Sequence, residues 1–357
     1  MGLTISRLGI VIAAYWAASA LFSPVAGTVS GHLGSKTTMI IAAALGSLAL
    51  IGIALVHAEW WWMLALLALA GVANAFGHPP SNALIADQVS GRNRALAYGV
   101  KQAAIPLATM LAGLAVPTLA LTMGWRWTFV IAAAGGLCVL LVLALVVPGV
   151  VVRTRRGAGR RRLPRGLMRF LVLTSLASGL GSAQANVVGA FTVSTGVAIG
   201  VPEGMAGLIL SLGSVAGAIA RPLVGWLADR GIGGTLATVA AMLSAGMLGA
   251  LCIATGLPIA FAIGCVLAFG LGWGWNGLIH YVVSHVAYPH SARATGIVQS
   301  GAYIGSAAGP FLFGFVFDSL GVTLGWLIAA AVSAVAALMA LLAHTRRPTT
   351  QETEQNT

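Results

Sequence analysis

The chain has 357 residues, of which 59% are apolar and 7% charged, whereas soluble domains carry roughly a quarter charged residues. With a mean hydropathy of +0.96 it is an integral membrane protein, which excludes soluble and disordered classes. The net charge of +12 sits mostly in short connecting segments rather than on a diffuse basic face, so no nucleic-acid partner is expected.

In chain order, spans of about 20 apolar residues, the length that crosses a bilayer as helix, fall near 8–30, 38–57, 62–87, 96–121 and 127–149. Backbone groups in lipid must be satisfied within the segment, and no alternating barrel pattern is present, so these are helices. Gly27 is expected to close the first span and to permit close helix approach. In the third span Asn74 and His78 stand four residues apart on one face, and Asn82 continues the stripe. Pro79-Pro80 is expected to interrupt this helix and free carbonyls toward a cavity. Lys101 and Gln102 follow in the fourth span, where Lys101 either faces a cavity or snorkels to the surface.

Arg153–Arg169 holds eight of the nineteen Lys and Arg residues and cannot cross hydrocarbon. It is a linker between two halves, and its arginines place it on the cytoplasmic side, against anionic lipid headgroups. The predicted division is an N-terminal bundle at 1–150, a linker at 151–167, a C-terminal bundle at 168–345 and a disordered cytoplasmic tail at 346–357.

Six further spans lie near 168–198, 204–228, 235–255, 258–286, 292–317 and 323–344, making eleven. Gln184 and Asn186 add polar atoms to the first of these, and Ser211 and Ser214 to the second. Arg221 either pairs with Asp229 or lines an exit. Asn276 and His280 repeat the four-residue spacing of Asn74 and His78, with Trp273 one turn earlier, and Gln299 follows on the next helix. Gly305, Gly309, Pro310 and Gly314 read as helix packing. Cys138, Cys252 and Cys265 lie in apolar runs without CxxC spacing, and the histidines 280, 285 and 290 spiral off one face, so no metal site is expected. No motif for a cofactor or for catalysis occurs, and the protein is read as a non-enzyme. With the linker inside, fifteen of the nineteen basic residues face the cytoplasm; the reverse orientation would expose the arginine run.

The halves echo one another. Gly27 and Gly225 are 198 residues apart, Lys101-Gln102 and Val298-Gln299 are 197 apart, and Asn74 and His78 are 202 from Asn276 and His280. The helix at about 166–198 has no counterpart after Met1; its partner is expected before that residue, lost or encoded upstream of the assigned start.

Gly225-Trp-Leu-Ala-Asp229-Arg230-Gly231-Ile-Gly233, the eroded copy Gly27-Thr-Val-Ser-Gly31, the repeat and the basic linker resemble the major facilitator superfamily. The resemblance implies an all-α polytopic fold of two pseudo-symmetric bundles, here five plus six helices, with the first of twelve missing. It further implies gating by Gly27, Gly225, Asp229 and Arg230, and a central cavity lined by the helices bearing Asn74, His78, Asn276 and His280. Asn74, His78, Lys101, Gln102, Gln184, Asn186, Trp273, Asn276, His280 and Gln299 are therefore the candidate substrate-binding residues. The expected protein is a monomeric secondary transporter of the plasma (inner) membrane, moving a small-molecule substrate by alternating access, with or without a coupling proton and without a cofactor. Acidic residues are missing from the span centres, which favours a small organic anion or neutral metabolite. The alternatives are an exporter of hydrophobic drugs and a truncated, non-transporting membrane protein.

Overall fold

A computed structural model describes residues 4–55, 59–89, 93–146, 163–288 and 291–347. The linker from 151 to 162 and the tail from 348 therefore lie outside the described residues. The chain is all-α: α1 (Ile5–Leu55), α2 (Trp60–Gln88), α3 (Arg94–Ala115), a π-helical run at Val116–Gly124, and α4 (Trp125–Val146). After the linker come α5 (Arg165–Ala198), α6 (Glu203–Asp229), α7 (Leu236–Ala254), α8 (Pro258–Gly270), α9 (Asn276–Val286), α10 (Ser291–Leu320) and α11 (Val322–Thr345).

Among the described residues, eight helical runs are long and apolar enough to span a bilayer. Two of them, Ile5–Leu55 with 51 residues and Arg94–Leu145 with 52, are each about twice one crossing, at 1.5 Å of rise per residue. The first is two arms joined at Gly34, whose φ of 83° and ψ of 162° are not helical. Glycine is required there because a side chain would clash in this conformation. The turn is thus at Gly34, in the connection between the spans read near 8–30 and 38–57. Both arms meet α2: Gly71 abuts Tyr15, and Gly52 abuts Leu66. The second run turns at the end of the π-helical segment, where Gly124 has φ 99°. Pro117 stands at the start of that segment and withholds a backbone donor. With α8 and α9 forming one interrupted crossing, the described residues make eleven.

The repeat is visible in the element starts. Ile5 and Glu203 are 198 residues apart, Trp60 and Pro258 also 198, Arg94 and Ser291 197, and Trp125 and Val322 197. Among the described residues, α5 alone has no counterpart.

The halves touch along two seams. The first arm of α1 packs against α10, and α3 packs against α6. Small residues set the approach, as membrane helices require in the absence of a hydrophobic force between them. A methyl group on Gly99 would lie 2.5 Å from the Arg221 carbonyl oxygen, and one on Gly225 2.5 Å from that of Ala95. The second half holds the two large apolar clusters, built around residues such as Phe170, Leu243 and Trp275, and Phe191, Phe261 and Trp326. In the first half α4 turns Leu137, Leu141 and Leu145 outward.

Candidate functional site

The helix interruption lies in the other half of the repeat from the one expected. The backbone of α2 stays helical through Pro79-Pro80, a correction to the sequence reading. The break falls instead in its pseudo-equivalent, at residues 271–275 between α8 and α9, overlapping Gly270-Leu-Gly-Trp-Gly274. Three glycines in five residues weaken helix there. The turns that replace it leave carbonyls pointing away from the helix axis. Gly272 O accepts from Trp275 Nε1 at 2.9 Å, and Trp273 O from Arg221 Nη2 at 3.0 Å.

Arg221, on α6, is only 2% exposed. Its other terminal nitrogen, Nη1, donates to the Gln102 carbonyl oxygen on α3, and its guanidinium carbon lies 5.2 Å from the Trp273 ring centroid. Nε has no partner. Arg221 therefore does not pair with Asp229, as one sequence reading had it. It ties the broken crossing of the second half to the first half, using neutral acceptors. Trp273 forms the floor of this arrangement inside the break and not on the helical face of α9.

A polar seam runs beside it. Lys101 Nζ donates to Asn82 Oδ1 at 2.5 Å and reaches the His78 carbonyl oxygen at 3.5 Å, so it points toward α2. Lys101, His78 and His280 lie within electrostatic reach of one another. His280, Gln299 and Tyr303 lie next to one another in that order, and Tyr303 also neighbours Ser23 on the first arm of α1. Trp16 lies over Tyr303, with ring centroids 6.1 Å apart. Asn276 is half-buried in the first turn of α9, one turn before His280. The structure thus brings His78, Lys101, His280 and Gln299 together between the halves, with Gln102, Trp273 and Arg221 adjoining.

Three candidates are placed elsewhere. Asn74 donates to Ser19 Oγ at 3.1 Å, binding α2 to α1. Asn186 donates to Ser182 O at 2.9 Å and Ser306 Oγ at 3.0 Å, binding α5 to α10. Gln184 is 1% exposed, and neither amide atom has a partner. A buried unmatched polar atom costs about 1–3 kcal/mol. Gln184→Leu is therefore expected to raise the thermal midpoint of the purified protein, by the equivalent of about 1–3 kcal/mol, a shift read by unfolding in detergent. Asn82, Ser23, Trp16 and Tyr303 were not among the candidates. Tyr303 follows Gln299 by four residues, a spacing that could have found it; nothing in the sequence pairs Ser23 or Trp16 with α10.

Of the expected gating residues, Asp229 bridges the halves. Its two oxygens accept from Ala95 N–H at 3.1 Å and Leu96 N–H at 2.8 Å, in the first turn of α3. A helix start has unpaired donors and a partial positive charge, so a carboxylate stabilises it. Arg230 lies 3.5 Å over the Trp226 ring. Gly225 is, with Gly99, a close-approach residue on this seam. Gly27 is not: it is exposed, with nothing within 4 Å of a methyl group placed on it.

Two pseudo-equivalent helical bundles meeting over a polar, membrane-buried seam define a polytopic membrane transporter. The Major Facilitator Superfamily model matches residues 1–176 and again 171–357, once for each half, and the chain belongs to that superfamily. It is similar to Monocarboxylate transporter 11 of Mus musculus, with 27% identity over 329 residues, covering 84% of this chain and 70% of the relative. Multidrug resistance protein MdtG of Dickeya zeae (strain Ech586) is 27% identical over 363 residues, covering 95% of this chain and 85% of the relative. An uncharacterized MFS-type transporter of Mycobacterium tuberculosis (strain ATCC 25618 / H37Rv) is 25% identical over 315 residues, covering 84% of this chain and 68% of the relative.

Proposed function

We propose that this transporter carries a small organic anion through the seam between its halves by alternating access. One observation carries the reading: the cations Lys101 and Arg221 stand at the seam beside His78 and His280, and the described partners of both cations are neutral. The described acidic side chains, Glu59, Glu203, Asp229 and Asp318, stand at helix ends or in connections. Cationic groups inside a membrane are costly and are retained where they meet a ligand or each other's counter-charge. A carboxylate solute supplies the missing charge. The name of the mouse relative, Monocarboxylate transporter 11, agrees with that class. The basic linker assigns its own face of the protein to the cytoplasmic side of the membrane.

Uptake of radiolabelled small carboxylates into proteoliposomes, beside uncharged sugars and alcohols of similar size, tests this. Lys101→Met is expected to lower carboxylate uptake about 10- to 100-fold, the equivalent of one charge-assisted hydrogen bond of about 1.5–3 kcal/mol. Carboxylate uptake that survives this change, or uptake restricted to uncharged solutes, would remove the anion assignment. A second reading rests on an apolar groove of about 390 Å³ between α5, α10 and α11, lined by Leu180, Val187, Ile304, Leu312 and Ile328. Its size suits a drug-sized apolar molecule, and a resistance screen in a pump-deficient host separates that activity from anion uptake.

A further inference from the structure

The second carboxylate at the seams is Asp318, near the end of α10, and like Asp229 it accepts from the first turn of a first-half helix. One oxygen of Asp318, Oδ2, accepts from the Ser6 backbone N–H at 2.7 Å and from Ser6 Oγ at 2.5 Å. Ser6 lies in the first turn of α1, where backbone donors have no partner within the helix. Thr4 Oγ1 accepts from Arg7 N–H at 3.2 Å, so the acid and the threonine share the donors of that turn. At the other seam Asn93, which precedes α3, makes no side-chain cap, and Asp229 takes Ala95 and Leu96 N–H.

The same short pattern builds both contacts. Asp229 follows Gly225 by four residues and Asp318 follows Gly314 by four, so each acid stands on the same helical face as its glycine, one turn nearer the helix end. Each glycine lets the backbone of the other half come close. A methyl group on Gly225 would lie 2.5 Å from Ala95 O, and one on Gly314 2.8 Å from Ile5 O. The acid one turn on then meets that helix's first N–H groups. In the first half, Gly27 is followed at the same spacing by Gly31, so the eroded copy offers no carboxylate.

The two contacts lie on opposite faces of the membrane. α6 ends at Asp229 and α3 begins at Arg94 on the face where α4 ends and α5 begins; α10 ends and α1 begins on the other. We infer that Gly314 and Asp318 form a latch on the face opposite the linker, paired with the Gly225–Asp229 latch on the linker face. Each holds a helix start of the first half with an acid from the second. The described conformation has both engaged, and opening either face requires releasing its own latch while the other holds. Asp318 is exposed, so water can replace it at its helix start and that latch is weak enough to open in a transport cycle.

This inference rests on the alternating-access reading, and a side-specific labelling experiment tests the two apart. In the full-length chain Cys138, Cys252 and Cys265 are changed to serine, and Asn276→Cys supplies a reporter at the seam. Vesicles of either orientation are treated with a membrane-impermeant maleimide. Asp318→Ala is expected to speed labelling several-fold from the opposite face and not from the linker face; Asp229→Ala does the reverse. Asp318→Glu, which keeps the acceptor, lies between Asp318→Ala and the parent. Size-exclusion profiles confirm that each variant is folded, which is expected of Asp318 because it is exposed. If Asp229→Ala opens the linker face while Asp318→Ala leaves the opposite face unchanged, the Asp318 latch is wrong and the seam stands. If the reporter is labelled from neither face in either variant or in the double variant, the accessible seam itself is wrong.

Discussion

Arg221→Leu is expected to reduce anion uptake at least a hundredfold while shifting the thermal midpoint only slightly. Two opposing effects make the stability change small. Removing the guanidinium relieves the cost of a cation at membrane depth, about 2.5–3.5 kcal/mol on insertion scales. It also orphans the carbonyl oxygens of Gln102 and Trp273, at about 1–3 kcal/mol each. Transport has no such compensation. The same side chain positions the broken crossing against α3, stacks on Trp273, and holds a spare donor at Nε. Arg221→Lys keeps the charge but loses the planar fork that reaches two acceptors at once, so an intermediate loss of roughly tenfold is expected. Uptake and melting measured on the same preparations decide the matter. Near-normal uptake by Arg221→Leu would show the arginine to be a structural tie only.

Gly309→Val is expected to prevent assembly of the second half. A methyl group there would lie 2.5 Å from Ala183 O, 2.6 Å from its Cα and 2.8 Å from its carbonyl carbon. Every one of these is a backbone atom of α5, so no side-chain rotation can make room. Gly301 against Ser175 and Gly305 against Gly179 continue the same contact along the seam. In lipid, helices associate through close packing instead of water exclusion, so holding them apart removes the attraction itself. Overpacking of about 1–3 kcal/mol is the lower bound expected, and β-branching adds to it. The readout is the monodisperse fraction on size exclusion after extraction. Gly27→Val, at an exposed position with open space, is the control and should behave as the parent. A normal profile for Gly309→Val would mean that the α5–α10 seam is looser than described.

The membrane class, the eleven crossings and the repeat were all legible in the sequence because each depends on local or periodic quantities. Hydrocarbon thickness fixes the length of an apolar run, and duplication fixes an offset near 198 that the element starts reproduce. The intramembrane polar residues were also legible, since lipid makes each of them conspicuous. Their partners were not. Asn74 and His78 share a helical face, yet Asn74 turns to Ser19 while His78 meets Lys101 and His280. Gly27 and Gly225 match in the repeat, yet only Gly225 touches a neighbour. Pro79-Pro80 looked like the break, and the glycines at 270–274 made it. Spacing says which residues share a face. Which face turns toward which helix depends on rotation and crossing angle, set by packing between different helices far along the chain from one another. That long-range choice, made by small residues at the seams, is what only the tertiary structure decided.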